Sequence, residues 1–192
     1  MRIRSAAVAA SAACLAVSLA ACGDSGSSSS TTTDAQSSAP KSCPTAEPTG
    51  DTTPQWTLKG DTGSTSVTAA TADAAPKIEV STPFSVSDTQ VKTLTTGSGD
   101  TVSDSATVSV CYVGVDGRTG KMFDSAYQRG VAAQFPLQGV VAGFRKAIAG
   151  QKVGSNVGVA MTSADGYPEG NPEAGINKGD TLIFAITILD AQ

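Results

Sequence analysis

The stretch from residue 23 to residue 55 contains no aromatic residue and no large aliphatic residue. It consists mainly of Ser, Thr, Ala, Pro and Asp. A segment of this composition cannot bury enough apolar surface to offset the entropy lost on ordering. We therefore predict a flexible linker over residues 22–55, with Cys43 as its one fixed point. The hydrophobic core must then come from the rest of the 192-residue chain, which is enough for one folded domain.

The N-terminus has the pattern of an export signal. Arg2 and Arg4 precede an uncharged Ala/Val/Leu stretch that is too short and too alanine-rich for a good membrane span. This stretch ends in Leu-Ala-Ala-Cys at Cys22, which resembles the lipobox of bacterial lipoproteins. We predict a signal peptide over residues 1–21 and a lipid on Cys22, which would anchor the protein on the extracytoplasmic side of the cell membrane. The alternative is an ordinary secreted protein, cleaved after a similar site and carrying an unmodified Cys22.

The predicted processing decides which of the four cysteines can form a disulfide. Cys14 would leave with the signal peptide and Cys22 would carry lipid, so that Cys43 and Cys111 remain in a compartment that permits disulfides. We predict that these two residues form a disulfide. The alternative is two unpaired thiols outside the cell.

Charge and composition exclude several classes of function. The chain has 13 basic and 17 acidic residues, a net charge of −4, and no histidine. A nucleic-acid partner is not expected, because such a partner would require a basic surface. The absence of histidine excludes Ser-His-Asp and Cys-His catalysis and every His-ligated metal site. We expect no metal, no cofactor and a monomeric protein.

Residues 90–192 have the pattern of a β-rich domain, preceded by a β-like extension over residues 56–89. In the first clear strand Val108, Val110 and Tyr112 alternate with residues of the opposite face, where Cys111 lies. A disulfide at Cys111 would therefore hold the N-terminal segment against the outer face of the sheet. Two further strands present an apolar face, formed by Val157, Val159 and Met161 in one and by Leu182, Phe184, Ile186 and Ile188 in the other.

One short segment has helical spacing. Val140, Val141, Phe144, Ala147 and Ile148 recur at intervals of three or four residues, and Gly150 follows as a stop. A long Gly/Pro-rich stretch lies between Met161 and the last strand, and a loop of that length in a compact domain is usually functional. Antiparallel strands around one short helix give an α+β fold.

Several blocks of sequence resemble the FKBP-type peptidyl-prolyl cis-trans isomerases. They occur in family order over roughly residues 90–190. The blocks are Val110–Gly114, Gly120–Ser125, Phe135–Phe144, Gly150–Gly154, Gly166-Tyr167 and Gly179–Phe184.

The resemblance implies a curved antiparallel β-sheet wrapped around the helix, with a proline pocket between them. It implies four catalytic residues: Tyr112, Asp124, Phe144 (the pocket floor) and Tyr167. Arg129 falls where the family often has an arginine paired with the aspartate. The remaining substrate-binding pocket residues would be Phe123, Phe135, Val140, Val141, Ile176 and Phe184.

The implied activity is isomerisation of X-Pro bonds in exported or cell-envelope polypeptides, without covalent chemistry. Macrolides are implied as possible inhibitors. The chain departs from the common pattern at several positions, among them Phe144 in place of tryptophan and Pro168 in place of glycine. These changes bear on loop shape, substrate preference and macrolide affinity. Two other functions remain open: a non-catalytic chaperone or scaffold that holds proline-containing segments, and a structural envelope lipoprotein.

Overall fold

A computed structural model describes residues 41–49 and 52–192. The predicted signal peptide, Cys22 and most of the predicted linker lie outside the described residues. Within the described part of the chain, no helix is long and apolar enough to cross a membrane.

Nine strands and two short α-helices make up the regular structure of residues 41–49 and 52–192. In chain order they are β1 Trp56–Lys59, β2 Thr62–Thr68, β3 Lys77–Ser85, β4 Gln90–Thr95, β5 Thr107–Asp116, β6 Met122–Ser125, α1 Ala126–Arg129, β7 Ala133–Pro136, α2 Ala142–Ile148, β8 Asn156–Met161 and β9 Leu182–Ala191. Single 3₁₀ turns occur at 137–139, 163–165 and 172–174.

The main sheet is antiparallel and has six strands. Its order is β4-β8-β9-β5-β6, and β7 also pairs with β5. The inner face of this sheet and α2 enclose a hydrophobic core that contains Val108, Val110, Phe144, Ile148 and Phe184. The antiparallel sheet around a helix confirms the predicted α+β fold.

A second, three-stranded antiparallel sheet covers the outer face of the main sheet. It has the order β1-β2-β3 and contains the β-like runs of the predicted extension. Val67 and Phe84 of this sheet are buried together with Cys111, Val115 and Ile183 of the main sheet. The main sheet is therefore covered on both faces, by a helix on one side and by a sheet on the other.

The sequence pattern predicts one helix, and the structure adds the single turn α1. The hydroxyl of Ser125 accepts a hydrogen bond from the Gln128 backbone N–H, and Gly130 ends the turn with a φ of 70°. Four residues are too few to show helical periodicity, so only these end signals could have predicted α1.

The predicted disulfide joins Cys43 and Cys111 on the outer face of the main sheet. Around Cys43, the segment from Lys41 to Ala46 is held by backbone hydrogen bonds to Gly130, Ala132 and Ala75. Part of the predicted linker thus lies against the domain. Its composition did not indicate this, because the contacts are made by the disulfide and the backbone rather than by apolar side chains.

Candidate functional site

A cavity of about 380 Å³ lies between α2 and the inner face of the main sheet. Its lining residues are mostly aromatic and aliphatic, and they include one aspartate and two tyrosines. The lining residues are Tyr112, Phe123, Asp124, Phe135, Gly139, Val140, Val141, Phe144, Tyr167 and Phe184.

Phe144 is the centre of the aromatic cluster. Its ring centroid lies 5.3 Å from that of Phe184, 5.5 Å from that of Phe135 and 5.7 Å from that of Tyr112, each in an edge-on arrangement. Phe123 meets Phe184 in the same way, with centroids 5.5 Å apart. Edge-on rings pack closely and attract one another beyond the effect of buried area alone. The lining is therefore a connected set of rings from β5, β6, β7, α2 and β9.

Gly114 makes room for two of these rings, and sequence reasoning missed its role. It lies opposite Phe184 in the β5–β9 pairing. A Cβ at Gly114 would lie 2.7 Å from a ring carbon of Phe123 and 2.7 Å from one of Phe184. A glycine inside a strand is the sequence signal for such a close approach.

A polar triad, here called the rim, lies at the cavity. Tyr112 and Asp124 line the cavity, and Arg129 contacts both of them from outside the lining. The Tyr112 hydroxyl donates a hydrogen bond to the Asp124 carboxylate, and the Arg129 guanidinium donates to the other carboxylate oxygen of Asp124. A second guanidinium nitrogen of Arg129 donates to the Tyr112 hydroxyl oxygen over 3.2 Å. These contacts keep the carboxylate of Asp124 at the edge of an otherwise apolar cavity.

The triad shifts the pKa values of its members. Burial raises the pKa of Tyr112 to about 12, and the hydrogen bond to Asp124 adds to this effect. Burial also opposes ionisation of Asp124, but hydrogen bonds from Tyr112 and Arg129 outweigh it and lower the pKa of that carboxyl. At neutral pH the phenol is therefore a donor and the carboxylate an acceptor.

Tyr167 reaches the cavity from the long loop between β8 and β9. The Ser163 hydroxyl donates to the Tyr167 carbonyl over 3.0 Å and accepts from the Gly179 N–H over 3.1 Å. The Lys146 ammonium of α2 is 2.7 Å from the Asp165 carboxylate on the same loop. The loop that carries Tyr167 is thus tied to the helix that carries Phe144.

Nine of the ten pocket residues implied by the sequence line this one cavity. The tenth, Ile176, is buried in the adjoining core at 1% exposure and is not among the lining residues. Gly139 lines the wall in addition. Cys43 and Cys111 lie on the opposite face of the sheet.

Comparisons with known proteins show which family the chain is similar to. The family model for FKBP-type peptidyl-prolyl cis-trans isomerase matches residues 99–189. A probable FK506-binding protein of Corynebacterium glutamicum is 36% identical over 117 residues, which cover 60% of this chain and 98% of the relative. An FK506-binding protein of Streptomyces anulatus is 33% identical over 105 residues, which cover 53% of this chain and 85% of the relative.

Among solved structures, the N-terminal domain of FKBP42 from Arabidopsis thaliana is similar with a TM-score of 0.51. The similarity covers 55% of this chain and 87% of that domain at 16% identity, so it supports the fold alone. The sequence identity with the two bacterial relatives, over most of their own length, extends the assignment from fold to family. This chain belongs to the FKBP-type peptidyl-prolyl cis-trans isomerase family.

Proposed function

We propose that the aromatic cavity catalyses rotation about X-Pro bonds in exported polypeptides. The observation that carries the proposal is an apolar, ring-lined cavity whose lining includes Tyr112 and Asp124. These two residues are hydrogen-bonded to each other and to Arg129 beside the cavity. In this arrangement a proline ring would enter the cavity above Phe144. The flanking peptide groups would then lie at the rim.

Rotation about a peptide bond is slow because amide resonance must be broken. The barrier is about 18–20 kcal/mol. For X-Pro bonds the two isomers have similar free energies, yet exchange without a catalyst takes tens to hundreds of seconds. No covalent bond is made or broken, so this reaction requires neither a nucleophile nor proton transfer.

The rings of the cavity lower this barrier by removing water. The planar amide is more dipolar than the twisted transition state, and water therefore stabilises the planar amide more. Phe123, Phe144 and Phe184 would replace that water by an apolar surface. A site that binds the twisted form better than the planar one accelerates the rotation.

Hydrogen-bond donors at the rim would hold the twisted form. Tyr167 lines the cavity, so its hydroxyl would be available there as a donor. Val141 is the N-cap residue of α2, and a helix start leaves backbone N–H groups without intrahelical partners. These two donors would bind carbonyl oxygens of the substrate. Asp124 would accept from a substrate N–H or fix the orientation of Tyr112.

A proline-limited refolding assay tests the activity. The wild-type protein should accelerate the slow refolding phase of a substrate protein whose folding is limited by X-Pro isomerisation. Asp124→Val should reduce that acceleration, whereas Asp104→Val, which changes an exposed aspartate in a turn, should not. A wild-type protein that leaves the slow phase unchanged but binds proline peptides would support the non-catalytic chaperone or scaffold function.

We further propose that a lipid on Cys22 anchors the protein to the outer side of the cell membrane. The support is the sequence Leu-Ala-Ala-Cys after an uncharged Ala/Val/Leu stretch. Cys22→Ser should abolish labelling by a radioactive fatty acid and release the protein from the membrane fraction. A Cys22→Ser protein that stays membrane-bound would disprove the anchor.

Macrolide binding is proposed for the same cavity. Two relatives are named for FK506 binding, and the rings of Phe123, Phe135 and Phe144 offer an apolar site for such a ligand. Calorimetric titration with FK506 should show binding to wild type and weaker binding to Phe144→Leu. The absence of heat and of competition with a proline peptide would exclude macrolides as ligands.

A further inference from the structure

The segment Lys41–Cys43, here called the N-terminal arm, lies outside the residues matched by the family model. It runs antiparallel to residues 130–132. The Cys43 N–H donates to the Gly130 carbonyl over 3.1 Å, and the Ala132 N–H donates to the Lys41 carbonyl over 2.8 Å. Ser42 and Val131 form the β-bridge between these two contacts. The arm therefore fixes the backbone immediately after Arg129.

Arg129 has little local support of its own. It is the last residue of α1, a single helical turn, and its side chain is 51% exposed. A half-exposed arginine loses considerable side-chain entropy when it is held in one geometry, and an exposed ion pair alone offsets little of that loss. The position of its backbone consequently decides how often the guanidinium contacts Asp124 and Tyr112.

The other end of the arm is attached beside Tyr112. The disulfide joins Cys43 to Cys111, which directly precedes Tyr112 in the central strand β5. β5 is buried and pairs with β6, β7 and β9. The arm thus links the strand that carries Tyr112 to the turn that carries Arg129, on the face of the sheet opposite the cavity.

We infer that the N-terminal arm is a positioning segment of the catalytic rim. It holds Arg129 against Asp124 and Tyr112, and the disulfide fixes the arm in place. The arm contacts no substrate, and its effect on the reaction passes through Arg129. This inference rests on the proposed isomerase function.

A double-mutant cycle tests the inference. The full chain with Cys43→Ser and Cys111→Ser lacks the disulfide, and Arg129→Gln lacks the guanidinium. We expect loss of the disulfide and loss of the guanidinium each to lower kcat/KM for an X-Pro peptide by about three- to tenfold. The combined protein should have the same kcat/KM as Arg129→Gln alone. Losses that multiply would overturn the inference, as would full activity without the disulfide.

A milder variant covers the case in which the protein without the disulfide does not fold. Lys41→Met keeps the disulfide and removes the contacts of the Lys41 ammonium to the Leu189 carbonyl (3.0 Å) and the Asp190 carboxylate (3.2 Å). It should lower kcat/KM about twofold with Arg129 present and not at all in Arg129→Gln. Equal losses in both backgrounds would overturn the inference.

Lys77→Met is the matched control, because it also removes an exposed lysine from an exposed ion pair, that with Glu79. It should leave kcat/KM unchanged in both backgrounds. If wild type itself has no isomerase activity, the proposed function fails. If wild type is active and the cycle is additive, only the role of the arm fails.

Discussion

The ring of Phe144 meets the ring of Phe184 edge-on, with 5.3 Å between centroids and 84° between planes. Phe144 comes from α2 and Phe184 from β9, so this contact joins the helix to the sheet at the base of the cavity. Phe144 also packs against the ring of Phe135, and Phe184 packs against the ring of Phe123, and both of these rings line the walls of the cavity. A change at Phe144 therefore disturbs the floor and the walls together.

Phe144→Leu should lower kcat/KM by about tenfold. The smaller side chain would let the substrate proline sit slightly out of place, and misplacement of the substrate reduces the rate enhancement strongly. The cost in free energy of unfolding should be only about 1 kcal/mol, since leucine fills most of the space. Isomerase kinetics and urea unfolding measure the two effects. Phe84→Leu is the matched control, because Phe84 is equally buried but lies on the outer face of the sheet. Equal losses of activity in both variants would contradict the assignment of the pocket.

Gly114→Ala should destabilise the protein by about 1–3 kcal/mol, because the added methyl group overlaps the rings of Phe123 and Phe184. Activity should fall as these rings shift. In Gly139→Ala the added Cβ would lie 3.6 Å from Pro136, an ordinary contact, so its stability should not change. Urea unfolding of both proteins measures the difference. Similar stability of the two variants would show that β5 relaxes around the methyl group.

The sequence predicted the inner half of the molecule much better than the outer half. Alternating apolar residues such as Val108 and Val110 indicate a strand face directly. The family blocks implied ten pocket residues, and nine of them line the cavity. The outer half depends on contacts that leave little trace in composition. The packing of Phe84 against the main sheet and the hydrogen bonds of Lys41 and Cys43 arise only when distant segments meet.

The side-chain position of Ile176 and the presence of α1 could not be predicted from the sequence pattern either. A motif places Ile176 near the pocket, but the fold of the 3₁₀ turn before it decides whether its side chain reaches the cavity or the adjoining core. The turn α1 is defined by a cap at each end and by no periodicity. Both outcomes depend on local backbone geometry rather than on hydrophobic pattern.

Alkaline pH should destabilise the protein between about pH 10 and pH 12. Burial is the main cause that raises the pKa values of Tyr112 and Tyr127, each to about 12. The unfolded chain releases these protons near pH 10. The stability that the two buried phenols contribute is therefore fully present below pH 10 and is lost as the pH rises through 12. Urea unfolding at pH 9, 10 and 11 measures the slope. Tyr127→Phe should flatten it, and an unchanged slope would contradict the role of burial.

Reduction of the disulfide should lower the free energy of unfolding by roughly 4 kcal/mol. Cys43 and Cys111 are 68 residues apart, and a cross-link over such a loop restricts the unfolded chain strongly. Urea unfolding with and without a thiol reductant measures the change. The protein with Cys43→Ser and Cys111→Ser should have the lower stability in both conditions. A response of that protein to the reductant would show that another group is being reduced.

Trp56 should report whether the outer three-stranded sheet unfolds together with the main sheet. It is the only tryptophan of the chain, and a Cβ on Gly158 of β8 would lie 2.7 Å from its ring. Because Val67 and Phe84 share one buried cluster with residues of the main sheet, we expect one cooperative transition. Tryptophan fluorescence and far-ultraviolet circular dichroism should therefore give the same urea midpoint. Gly158→Ala should shift the emission by displacing the ring. A fluorescence midpoint well below the dichroism midpoint would mean that the outer sheet unfolds on its own, since Trp56 would then lose its contact with β8 before the main sheet opens.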